Sequence, residues 1–178
     1  SILALALCAE AAGVPAAMLV PDNLPRRYRF LFAGREVAGD RTFATLADGA
    51  ERIVVADTRA AAQLDGLQPG LQSRRSKIVV LDHHASGDDL ADTQWVDRTA
   101  AATGVMVREL LAEMNWPICP EAARALFVAL ASDTGWFRFS STDARTLRTA
   151  ADLVDAGADP DAIFTELYQR DRPERLRL

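Results

Sequence analysis

Cysteine is scarce in this chain and carries no pattern. Cys8 and Cys119 stand alone, with no C-x-x-C spacing, which excludes a disulfide framework and reads as two apolar thiols in a reducing, cytoplasmic setting. Positive charge is not in excess either. A formal net charge of −5 argues against a dedicated binder of long duplex nucleic acid, a task that relies on many unopposed Lys and Arg contacts to phosphates, and leaves small anionic substrates open. No apolar run reaches the roughly 20 residues that span a bilayer. The stretch from Ile2 to Ala12 lacks a basic leader and carries Glu10, so it reads as a core helix rather than a membrane segment. The chain also lacks a G-x-x-x-x-G-K phosphate loop, which excludes that route to nucleoside-triphosphate chemistry. With no internal repeat, low-complexity tract or linker, residues 1–178 read as one domain with enough apolar matter for a proper core.

Histidine is almost as rare, and there the scarcity is informative. The only two histidines, His83 and His84, are consecutive and follow Asp82, directly after the apolar run Ile78-Val79-Val80-Leu81. That run reads as a buried strand, so three potential metal or phosphate ligands stand at its C-terminal end, where parallel α/β sheets build their sites. A surface turn with two idle histidines is the bland alternative. Clustered acid and imidazole groups instead point to a hard-to-borderline divalent metal.

Helix and strand signals alternate along the chain. Ser1 caps a predicted helix ending near Gly13; a strand follows at Ala16–Val20, then a turn at Pro21-Asp22-Asn23. Ile53–Ala56 and Lys77–Leu81 are short, all-apolar strands that read as parallel and covered on both faces, and Gln94–Val96 reads as an edge strand. Helices are expected over Thr99–Met114, from Pro120 through Ser132, from Asp143 to Ala156 behind a Thr142 cap, and from Asp159-Pro160 onward. The fold class is therefore α/β, a mainly parallel sheet with helices on both faces.

Asp57 ends its apolar strand as Asp82 ends the next, so neighbouring strands would bring both carboxylates to one edge of the sheet. Asp133 follows the apolar helix end Phe127–Ala131 and precedes the turn Thr134-Gly135. A triad of Asp57, His83 and Asp133 suits Mn²⁺ or a similar divalent ion. Successive residues of an extended backbone point opposite ways, so His83 and His84 are expected to divide their roles, one toward metal and the other toward substrate phosphate. Trp136, Phe137 and Phe139 are read first as core and second as a base-stacking surface. Arg26-Arg27-Tyr28-Arg29, Arg74-Arg75 and the Arg170 to Arg177 tail are read first as solvated surface and second as phosphate steering.

Three stretches in this order, Val54-Val55-Ala56-Asp57-Thr58, Val79-Val80-Leu81-Asp82-His83-His84 and Ala131 through Phe139, resemble the motifs of the DHH phosphoesterase family. The flanks Pro21–Pro25, Tyr28–Leu31 and Ala101–Gly104 fit as well, and the wording around Asp133 looks most like the short-oligonucleotide and phosphoadenosine-phosphate hydrolases. The resemblance implies a Rossmann-like domain and a phosphoesterase with a pair of Mn²⁺ ions, Mg²⁺ being the alternative. On that pattern Asp57 bridges both ions, His83 and Asp133 complete one shell, Asp82 orients an imidazole as part of the catalytic set, and His84 contacts the scissile phosphate. Thr134 and Arg138 join His84 as substrate contacts. The expected partners are a short oligonucleotide or small nucleotide and a second copy of the chain in a homodimer.

Departures accompany the match. The family's acid-rich first motif would end where this chain begins, Asp22 falls in a later, non-catalytic stretch, the glycine-rich substrate-binding domain expected after the last helix is missing, and Gly87 stands where many relatives carry a polar residue. The expectation is thus a fragment that is inactive alone. A family-II-type inorganic pyrophosphatase and a non-catalytic nucleotide-sensing module stay open beside the hydrolase.

Overall fold

A computed structural model describes residues 1–20, 24–35, 37–39, 42–64 and 67–169. The expected turn at Pro21-Asp22-Asn23 and the basic tail from Arg170 lie outside the described residues. Helix α1 (Ile2–Ala11) opens the chain, with Ser1 at the cap position but making no side-chain cap bond. A 3-10 helix (Arg26–Phe32) and two short α-helices, α2 (Phe43–Gly49) and α3 (Gln68–Gln72), come next in the first half of the chain. The strands are β1 (Ile53–Ala56), β2 (Ile78–Asp82) and β3 (Thr93–Val96), followed by α4 (Thr103–Glu113), α5 (Pro120–Asp133), α6 (Ala144–Asp155) and α7 (Pro160–Phe164).

The sheet is three-stranded, ordered β1-β2-β3, and parallel at both pairings, with Val55 opposite Val80 and Leu81 opposite Trp95. Period-two alternation then divides the core in two. Ala56, Val79 and Leu81 face one way, into a cluster built from Leu3, Leu7, Val105, Leu111, Leu126 and Leu130 of α1, α4 and α5. Ile53, Val55, Ile78 and Val80 face the other way, into a smaller cluster with Phe43, Leu67 and Leu71 around α2 and α3. Helices therefore cover both faces, as the apolar strand composition requires. Gly104 lets α4 approach α5 closely, since a Cβ there would lie 2.7 Å from a Leu130 methyl and 3.1 Å from the Ala129 Cβ.

Several expected boundaries move. Ala16–Val20 forms no strand; its one ladder contact is an isolated bridge from Leu19 to Ala38, and Ala17 is exposed. Among the described residues its strand-like bonds are those with Ala38, which accepts from the Val20 N–H at 3.1 Å and donates to the Met18 carbonyl at 3.0 Å, a single bridge rather than a ladder. Helix α4 starts at Thr103 rather than Thr99, because the Asp97 carboxylate accepts from the Thr99 backbone N–H at 2.9 Å and its hydroxyl at 2.6 Å, holding that segment as a turn. Asp143, not Thr142, caps α6, accepting from the Thr146 backbone N–H at 2.8 Å. Arg74 and Arg75 are engaged in ion pairs, Arg74 with Asp48 and Arg75 with Asp89 and Asp92, so they brace the α3 side of the fold.

Candidate metal and phosphate site

Strand geometry delivers the acids and imidazoles to one place. Asp57 leaves β1 with a left-handed backbone (φ 72°) while its N–H still bonds the Leu81 carbonyl at 2.9 Å, so the turn away from the sheet begins at the acid itself. A non-glycine residue in this region is strained, and such strain gathers where a side chain must be aimed. His83 follows β2, and its Nε2 lies 3.7 Å from Asp57 Oδ1 and 3.8 Å from Asp133 Oδ2. Its Nδ1 lies 3.1 Å from the Ala100 carbonyl. A carbonyl can only accept, so Nδ1 donates and Nε2 is the nitrogen turned toward the two carboxylates, free to bind a metal in the neutral ring, the arrangement that orients metal-binding imidazoles.

Asp133 is the last residue of α5, an unfavourable position for an acid because the helix dipole is negative there. The following turn is strained as well: Gly135, Trp136 and Phe137 are all left-handed (φ 56°, 61° and 62°). Thr134 braces it. Its hydroxyl donates to the Leu130 carbonyl at 2.6 Å and accepts from the Phe137 N–H at 2.9 Å, and the residue is fully buried. The structure thus spends Thr134 on the turn instead of offering it as the expected substrate contact. Arg138 is exposed, with Nε donating to the Gly135 carbonyl at 2.8 Å. Trp136 and Phe137 pack edge-on against Phe127, and Trp136 also against Phe164 and Tyr168, whereas Phe139 is 56% exposed. The core reading holds for the first two aromatics and not for Phe139.

Burial, joined by the charge of Asp57, lifts the Asp133 pKa to about 6 against the opposing pull of His83. A measurable consequence follows for stability without metal. Between about pH 4 and pH 6 folded Asp133 keeps a proton that the unfolded chain gives up, so the folded state binds more protons and this contribution to stability falls as pH rises through that window. Asp133→Asn removes the effect. Urea unfolding should show the variant gaining on the wild type by on the order of 2 kcal/mol between about pH 4 and pH 7, and a difference independent of pH would contradict the assignment.

Asp82 does not join that cluster. It is wholly buried, and its Oδ1 accepts from His84 Nδ1 at 2.7 Å and from the His84 backbone N–H at 3.3 Å. Burial opposes its ionisation, yet the bonds from His84 and Arg59 outweigh that cost and hold its pKa below the usual range. The same bond raises the pKa of His84, whose ring is half exposed and tilted 53° from His83 at 4.5 Å. The paired histidines therefore meet different partners, His83 a main-chain carbonyl and His84 a carboxylate.

Ligand atoms of Asp57, His83 and His84 all lie within 4.8 Å of one another, and Asp133 approaches the same His83 Nε2. Atoms bound about 2.0–2.2 Å from an ion sit roughly 3–4 Å apart in tetrahedral and octahedral shells. The separations from His83 to both acids match that spacing, and the oxygen and imidazole donors suit Mn²⁺ or Mg²⁺.

No helix among the described residues is long and apolar enough to cross a membrane. No family model matches the chain. It is 28% identical over 120 residues, 66% of this chain and 37% of the relative, to the bifunctional oligoribonuclease and PAP phosphatase NrnA of Bacillus subtilis. It is 32% identical over 101 residues, 57% of this chain and 31% of the relative, to the protein of the same name from Thermus thermophilus. The chain thus spans about a third of the length of these curated relatives. Its fold matches an exopolyphosphatase-related protein of Bacteroides fragilis with a TM-score of 0.91 at 20% identity, covering 98% of this chain and 53% of that one.

Proposed function

We propose that this chain, which belongs to the DHH phosphoesterase family, hydrolyses phosphate esters of short oligonucleotides or small nucleotides with a divalent ion held by Asp57, His83 and Asp133. The observation that carries the reading is the Nε2 of His83 facing both carboxylates at 3.7 and 3.8 Å, with its ring oriented from behind by the Ala100 carbonyl. The relatives' names favour the substrate class. A divalent ion bound there would supply charge neutralisation for the phosphate and acidify the attacking water.

The chain's own residues do the rest. Asp57 and Asp133 give the site its negative charge, and His83 adds a neutral donor in a defined tautomer. His84, half exposed and donating Nδ1–H to the ionised Asp82, presents its Nε2 outward. Protonated, that nitrogen donates to a phosphate oxygen and stabilises the charge that grows there; Asp82 favours this cationic form, in line with the raised pKa of His84. Arg138 stands exposed after Asp133 as a further phosphate contact.

The test is hydrolysis by the full-length protein, with Mn²⁺ or Mg²⁺ and with chelator, of a labelled dinucleotide, of 3′-phosphoadenosine 5′-phosphate and of inorganic pyrophosphate. Metal-dependent release from either nucleotide substrate is expected. Turnover of pyrophosphate alone would replace this reading with a pyrophosphatase, and metal binding without turnover of any substrate would leave a nucleotide-sensing module.

A further inference from the structure

Arg59 stands two residues beyond Asp57 and runs beneath the loop that follows the histidines. Its Nε donates to Asp82 Oδ2 at 3.2 Å and its Nη2 to the His84 carbonyl at 3.2 Å, while the other Asp82 oxygen takes the His84 ring proton at 2.7 Å. Cation, carboxylate and imidazole thus close a ring in which each oxygen of Asp82 has its own partner. The arginine side chain is 12% exposed and that of Asp82 is 0% exposed, so no bulk water reaches the carboxylate to take the cation's place. Main-chain contacts lock the arrangement: the Asp88 N–H donates to the Arg59 carbonyl at 3.0 Å, and the Ala61 N–H to the Asp88 carboxylate at 2.8 Å.

Gly87 completes the packing. A Cβ at that position would meet the Arg59 Cβ at 2.5 Å and its Nε at 3.0 Å, so the loop lies directly on the arginine stem and leaves no room for a side chain. Glycine at this position is what admits Arg59 under the loop.

We infer that Arg59 is a positioning residue for phosphate-ester hydrolysis, acting through Asp82 to hold the His84 imidazole with Nδ1 protonated and Nε2 turned outward, and that Gly87 is its steric partner. The inference rests on the phosphoesterase reading of this site. A buried carboxylate that loses one of two partners turns or draws in water, and either outcome loosens the imidazole bound to its other oxygen. Arg59 and Asp82 hydrogen-bond to His84 and not, among the described residues, to Asp133 or the ring of His83, so the metal side should lose less than the His84 side.

The test uses the full-length protein and the variants Arg59→Gln, Arg59→Lys and Gly87→Ala, the last of which displaces the arginine without removing its charge. Expected for Arg59→Gln and Gly87→Ala is a fall in kcat of about 10- to 100-fold, the usual range for residues one contact removed from a site. KM and the Mn²⁺ affinity measured by calorimetry should stay within about threefold. Arg59→Lys should recover most of the loss, since an ammonium can still pair with Asp82. ¹⁵N-histidine correlation spectra, with the His84 signals assigned by their loss in His84→Ala, report His84 directly. Its protonated-Nδ1 signature should weaken in Arg59→Gln and Gly87→Ala and persist in Arg59→Lys, while the tautomer of His83, set by the Ala100 carbonyl, stays the same. Unchanged His84 signals in Arg59→Gln, or a lysine variant as impaired as the glutamine one, would overturn the inference. The spectra decide it even where no substrate is turned over, so its failure is distinguishable from failure of the hydrolase reading.

Discussion

His83→Ala is expected to weaken Mn²⁺ binding by at least about 100-fold, since loss of a group that merely orients a ligand already costs 10- to 100-fold. The ring supplies the nitrogen donor that approaches both acids, and its removal also takes away the group that restrains the upward shift of Asp133. Protonation of Asp133 would then compete with metal near pH 6, adding to the loss. Calorimetric titration of the wild type, His83→Ala and Arg138→Ala checks this. The arginine variant should bind as the wild type does, and equal affinity in the wild type and His83→Ala would remove His83 from the ligand set.

His84→Ala is expected to behave in the opposite way, cutting turnover by about 10²- to 10⁴-fold, the range for a positioned proton donor, while leaving Mn²⁺ affinity within a few-fold. Its Nδ1 is committed to Asp82 and its ring is half exposed, which favours the substrate over the ion. The spacing of His84 from Asp57 and His83 permits the other assignment, and the same titration decides between them. If His84→Ala loses metal as severely as His83→Ala, then His84 is a ligand and the phosphate contact must be sought elsewhere.

The parts of the fold that were legible in the sequence are those where one physical signal dominated. Ile53–Ala56 and Ile78–Leu81 are short apolar runs that end on acids, a pattern suited to parallel strands, and the structure pairs them, with β2 covered and Val54 of β1 39% exposed. Pro120 and Asp159 announced their helices by position. Ala16–Val20 carried the same apolar signal without a partner strand, and composition alone cannot tell the two cases apart. The short helices α2 and α3 and the 3-10 turn around Tyr28 give too few residues for a period to emerge.

The candidate site divides similarly. Asp57, His83 and Asp133 could be named from their stations at the ends of apolar elements, and the structure gathers them. Arg59 could not, because a lone arginine in a loop after a strand looks like solvated surface until its buried partner is seen; its place two residues after the acid was the only available hint. The Ala100 carbonyl left no trace at all, since every residue type carries one. Thr134 misled for the converse reason: a hydroxyl beside an acid suggests ligand binding, while here the left-handed turn consumes it.

The two histidines also differ in how they respond to mutation. The group that sets the ring of His83 belongs to the main chain of residue 100, so no side-chain exchange there deletes it, and only a change that redirects the backbone between β3 and α4 can. The group that sets the ring of His84 is a side chain, Asp82, which itself depends on Arg59 and on the small size of Gly87. Sequence drift therefore leaves the first imidazole's setting nearly untouched while exposing the second to alteration at three positions. Variants selected for a different phosphate ester would be expected to accumulate changes at 59, 82 and 87 before any appear around residue 100.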